Sequence, residues 1–156
     1  MNVWFLLLGC TSNMGVGIGY EFVGVLDVDT TFVATATSRV PQRDASDVTL
    51  GMRVEFADER PREPFEIDVT VGGRTETVVS DPASLSLHAA ADVDLFPCDD
   101  RECREDVTFE VRPDFDGPRD VRIAVDLEVV GITGDYQPDC CVTLEVDSDF
   151  AIRNPR

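Results

Sequence analysis

The chain has 156 residues, 43% of them hydrophobic, and carries 31 acidic against 13 basic residues, for a formal net charge of −18. That length fits one domain able to bury roughly 68–70% of its unfolded surface, and the apolar share argues against global disorder. The charge argues against a nucleic-acid partner, since phosphate backbones repel it and no basic stripe offsets it. It also repels anionic lipid headgroups, and the absence of Lys excludes Schiff-base chemistry and a P-loop.

The first element is the apolar stretch Trp4-Phe5-Leu6-Leu7-Leu8-Gly9-Cys10, followed by polar, glycine-rich sequence. No Lys or Arg precedes it, and it is too short to span a bilayer, which takes about 20 residues. On one reading, Val3 to Leu8 form an N-terminal strand packed in a sandwich core. On the other, Leu7-Leu8-Gly9-Cys10 resembles a bacterial lipobox: aliphatic residues, a small residue, then the cysteine that takes the lipid. The resemblance implies that residues 1–9 are a lipoprotein signal peptide and are removed. It makes Cys10 the lipid acceptor and the membrane a partner reached through that lipid alone. The triacylated cysteine of that class anchors more firmly than a single acyl chain. Thr11 stands where the class often carries Asp for inner-membrane retention, which points to the cell envelope at the outer membrane or cell surface. The domain limits that follow are 10–19 for a short tether and 20–156 for a single folded domain. Val16 and Ile18 would equally begin the first strand.

From Tyr20 onward the chain alternates apolar and polar residues with a period of two, the mark of half-buried strands. Tyr20 to Ala36 holds two strands with a turn near Asp27 to Thr30. Leu50, Met52, Val54 and Phe56 form one inner face, and Phe65, Ile67, Val69 and Val71 the next. Between them Asp58 to Pro64 is a loop, because its prolines would break a ladder. Gly72-Gly73 is a two-residue hairpin turn. Leu85, Leu87, Ala89, Val93 and Leu95 trace a further face, followed by Val107 to Val111, Val121 to Val129 and Val142 to Val146. Asp81-Pro82 and Asp116-Gly117-Pro118 are turns. No segment keeps a helical period. About eight short strands, each with one apolar face, give an all-β, antiparallel β-sandwich, immunoglobulin- or fibronectin-like, with a small barrel or jelly roll as the alternative.

With Cys10 lipidated, Cys98, Cys103, Cys140 and Cys141 remain, an even number that points to two disulfides in an exported domain. Cys140 and Cys141 begin the last strand and point to opposite faces. A bond between adjacent residues is strained, so each is expected to meet one of Cys98 and Cys103. That would staple the polar loop 98–103 to the final strand, at about 2–4 kcal/mol per bond. A four-thiolate zinc site prefers paired Cys-x-x-Cys knuckles, whereas this chain offers Cys-x4-Cys and an adjacent pair.

His88, the only histidine, shares phase with Ser84 and Ser86 and is expected to face solvent; nothing around it resembles a nucleophile elbow. Asp114, Asp116 and Asp120 surround a glycine turn and are calcium candidates, with Asp27, Asp29, Asp147 and Asp149 as further donors. The distal Glu of an EF-hand is missing, and acidic runs are common in so acidic a chain. The only tryptophan, Trp4, lies in the signal-like stretch, which weakens a carbohydrate platform. The expected function is a non-enzymatic interaction or structural module with an unidentified protein partner, no catalytic residues and no cofactor. Calcium-dependent adhesion is the second expectation, and a hydrolase the third.

Overall fold

The computed structural model describes residues 6–8, 15–38, 47–57, 65–79, 86–93, 102–113, 117–130 and 142–150. These hold ten strands: β1 Leu6–Leu8, β2 Gly15–Leu26, β3 Thr30–Ser38, β4 Asp47–Phe56, β5 Phe65–Val71, β6 Arg74–Val79, β7 Ser86–Asp92, β8 Cys103–Pro113, β9 Arg119–Val130 and β10 Val142–Ser148. They form two five-stranded sheets. Sheet A has the order β1-β2-β9-β4-β7 and sheet B the order β10-β3-β8-β5-β6. Every pairing is antiparallel.

Burial follows the alternation in the sequence. On β9, Val121, Ile123, Val125, Leu127 and Val129 are buried, while Arg122, Asp126 and Glu128 are exposed. The same split sets Leu50, Met52 and Val54 inward on β4, and Phe32, Ala34 and Ala36 inward on β3. A one-residue slip in any of these strands would turn its apolar set to water, so the register is strongly specified. The two inner faces make one core. Aromatic pairs join the sheets: Phe22 meets Phe32 edge-on at 5.4 Å, and Phe56 meets Phe65 edge-on at 5.2 Å. Such pairs add about 0.5–1.5 kcal/mol each beyond their buried area. Near the β2 edge, the Tyr20 hydroxyl donates to the Leu144 carbonyl of the opposite sheet at 2.6 Å. Partial burial there, with the negative field of Glu145, raises the Tyr20 phenol above its ordinary pKa.

Three features differ from the sequence reading. The strands beyond the expected eight are β1 and β6. β6 is the second strand that the Gly72-Gly73 hairpin turn implies, closed by the register Val71↔Arg74; its side chains are nearly all exposed, so no apolar alternation marks its extent. Both turn glycines have positive φ, 56° and 76°, which L side chains resist and glycine accepts. Secondly, of the two readings of residues 10–19, the strand start at Val16 and Ile18 holds in place of a tether reaching residue 19: residues 15–19 belong to β2 and pair with Glu128, Val129, Val130 and their neighbours on β9. The glycines of this run are strand residues; over Gly19 the space of the missing side chain is taken by Asp126, and over Gly17 it is open. Thirdly, Leu6–Leu8 lie on the outer edge of β2, opposite Gly17–Gly19. No described helix is long and apolar enough to cross a membrane.

Candidate functional site

Apolar residues fill the inner faces, so polar chemistry is left to the outer faces and the strand ends. The outer face of sheet B carries Thr35, Thr70, Thr75, Thr77 and Thr108 among carboxylates. Its strongest cation is Arg112, whose guanidinium bridges Asp68 at 2.7 Å and Glu66 at 3.1 Å. Arg112 Nε is buried with no partner among the described residues.

The outer face of sheet A has a more unusual feature. Gly19 on β2, Asp126 on β9, Gly51 on β4 and Ala90 on β7 stand in one row across four strands. Neighbouring strands lie about 4.8 Å apart, so Asp126 has a glycine at contact distance on each side. The row is a notch with one carboxylate in it. On one side Asp126 Oδ1 fills the space over Gly19, where a Cβ would collide with it; Val125 O would lie 3.4 Å from that Cβ. On the other side the His88 ring lies over Gly51, with Nε2 3.0 Å from where a Cβ would stand. The residue Asp126 is exposed as a whole, but its carboxyl is partly desolvated. That burial raises its pKa above the usual carboxylate range. Arg53 and His88 oppose the shift through space, and Glu128 and Glu21 reinforce it. Glu21 is itself held by Arg122 at 3.2 Å. The arrangement offers a carboxylate whose ionised form is poorly solvated, with the His88 ring over the adjacent glycine, suited to receiving a cationic or hydrogen-bond-donating group from a partner.

The residues singled out in the sequence fall into three groups. Cys10, Cys98, Cys140, Cys141, Asp114, Asp116 and Ser84 lie outside the described residues. Cys103 begins β8 and is disulfide-bonded; its partner lies outside the described residues. Ser38 pairs with both Cys103 and Val142, which puts the starts of β8 and β10 at the same end of sheet B. His88 faces solvent, as its phase requires. Asp120 is exposed near the start of β9, where its carbonyl accepts from Ala57 N at 3.0 Å. The opposite end of the sandwich gathers Asp27 and Asp29 in the β2–β3 turn, Asp120, and Asp149, which accepts from Thr31 N at 2.8 Å. Among the described residues no group of three or more His, Cys, Asp or Glu side chains is placed to hold a metal ion.

Asp126, Gly19 and Gly51 were missed. Asp126 reads as one more solvent-facing acid on an alternating strand. The signal that could have found the notch is Gly51, a glycine at an outward position inside the run Leu50 to Phe56, where glycine marks a close approach. In comparisons with known proteins, the chain matches no family model, no curated protein and no solved structure.

Proposed function

We propose that the protein is an exported, lipid-anchored β-sandwich of the cell envelope, acting as a non-enzymatic interaction module that presents the outer face of sheet A to a protein partner. The observation that carries the binding role is the row Gly19–Asp126–Gly51 with His88 over its end. Two strand-interior glycines weaken a sheet by roughly 0.5–1 kcal/mol each against Ala, and here that cost makes the space that the Asp126 carboxylate and the His88 ring occupy. The anchor rests on Leu7-Leu8-Gly9-Cys10, with Cys10 as lipid acceptor. Loop 98–103, tied by disulfides of Cys98 and Cys103 to Cys140 and Cys141, would be a rigid secondary contact. The testing experiment is the intact mass of the protein expressed from its own start and recovered from bacterial membranes. A mass equal to residues 10–156 plus a diacylglyceryl and an acyl group supports the anchor. An unmodified full-length mass in the soluble fraction removes it, and the envelope location with it.

A second reading, calcium-dependent adhesion through acidic loops, draws on Asp27, Asp29, Asp120 and Asp149 lying at one end of the sandwich, with Asp114 and Asp116 as further donors by sequence; as placed, no three of the described carboxylates share an ion site. A melting temperature that EDTA and millimolar calcium both leave unchanged would eliminate it. Turnover of any substrate that is lost on changing His88 would replace the interaction reading with a hydrolase.

A further inference from the structure

We propose that the outer edge of β2 over Glu21–Leu26 accepts an extended, antiparallel segment of a partner whose residues alternate between apolar and Lys or Arg. This deepens the interaction-module reading and rests on it, but not on the lipid anchor. In the unprocessed chain this edge takes such a strand from the chain itself, since Leu6–Leu8 lie antiparallel on Gly17–Gly19; removal of residues 1–9 would vacate that stretch as well. β2 has twelve residues and β1 three, and among the described residues no strand pairs with the outer edge of Glu21–Leu26. Exposed edges are normally blunted by proline, bulges or charge. The other sheet edges follow that rule: β10 turns out Glu145 and Asp147, β6 Arg74 and Glu76, and β7 His88 and Asp92. The segment Glu21-Phe22-Val23-Gly24-Val25-Leu26 has no proline and one charge, and that charge is paired with Arg122. Val23 is 49% exposed on its outer side.

The occupant's chemistry follows from the surroundings. Phe22 and Leu26 are buried at the rim of the core, so inward positions of an added strand would meet apolar side chains. Outward positions would meet Glu21 and, one strand further in, Arg122 opposite Val23 and Asp120 opposite Val25; Arg122 is engaged by Glu21, and Asp27 and Asp29 just beyond the strand leave the field negative. Opposite charges across a strand pair attract and like charges repel. A second copy of this chain, at −18, would bring like charge to the same edge.

The test is an amide NMR titration of the full chain with an acetylated, amidated (Val-Lys)4 peptide, against (Val-Glu)4 as control. The expected result is shifts and roughly tenfold slower hydrogen exchange confined to the β2 amides of Glu21–Leu26, from the lysine peptide alone. Val23→Arg, at an exposed position, is expected to weaken that response up to about fivefold without unfolding the chain. Shifts centred on Asp126 and His88 with no protection of β2 would overturn the edge proposal while leaving the interaction module standing. No response at all would overturn the edge proposal. A mass of two chains by light scattering, with β2 protected before peptide is added, would give the edge to a second copy and overturn the stated occupant.

Discussion

Gly19→Ala is the most direct probe of the notch around Asp126. The new methyl would fall within the van der Waals envelope of Asp126 Oδ1, while Val125 O, at 3.4 Å, would be at ordinary contact. The obstruction is therefore the end of a side chain that can turn outward, and the backbone need not move. Alanine is favoured over glycine in a strand by about 0.5–1 kcal/mol, and displacing the carboxyl from a settled rotamer costs about 0.5–1.5 kcal/mol. These oppose one another, so stability should change by less than about 1 kcal/mol. The carboxyl should respond more clearly. Burial is the first cause of its raised pKa, so an Asp126 pushed into water should titrate closer to an ordinary carboxylate. Urea unfolding at pH 7 gives the stability, and a carbon-detected NMR titration of Asp126 gives the pKa. A loss above about 2 kcal/mol would mean that the strands cannot accommodate a Cβ there. An unchanged Asp126 titration would mean that the notch is not what desolvates it. Either result refutes the reasoning.

Asp126→Asn should raise the melting temperature at neutral pH. A carboxyl whose folded pKa lies above its unfolded value penalises the folded state when ionised, and the penalty fades as pH falls through the raised folded pKa toward the unfolded one. The advantage of Asn should therefore shrink on acidification, and a variant equally stable at all pH would contradict the assignment. Tyr20→Phe should cost about 1 kcal/mol in urea unfolding, because it leaves the Leu144 carbonyl without its 2.6 Å donor; wild-type stability would mean that water serves that carbonyl instead. Reduction should destabilise the fold by about 2–5 kcal/mol through the bond at Cys103, and matching melts with and without reductant would deny that bond a structural role.

The sandwich was legible because burial and alternation are the same fact seen twice. Val121 to Val129 can put five apolar residues in the core only as a strand, and the structure places all five there. The turn at Asp27 to Thr30 and the hairpin at Gly72-Gly73 were legible because their residue types match the backbone they need. The extent of β6 was less so, since Val78 packs against the core while the other side chains of this edge strand lie in water and place no demand on composition. Gly15, Gly17 and Gly19 left tether and strand equally open, because a glycine-rich run reads the same whether it is a linker or a strand. The site was illegible for a related reason. Asp126 becomes distinctive only when Gly19 and Gly51 arrive from β2 and β4 on either side, and their register is a property of the sheet rather than of any one segment.

The long reach of β2 also governs how the chain can fold. Its partner in the centre of sheet A is β9, so Gly15 must find Val130, and the Tyr20 hydroxyl reaches a carbonyl 124 residues away. Apart from the β1–β2 and β5–β6 hairpins, each connection passes from one sheet to the other. Loop closure must precede most of the favourable contacts, which places such chains in the millisecond-to-second range rather than among fast local folders. As the polypeptide emerges from the ribosome, the β2 edge that will take β9 stays bare until residue 130 is free, and the opposite edge beyond Gly19 has no strand to cover it among the described residues. The same Val23-Gly24-Val25 edge that suits a visiting strand is then most vulnerable to the wrong one, and the heavy negative charge keeps waiting chains apart.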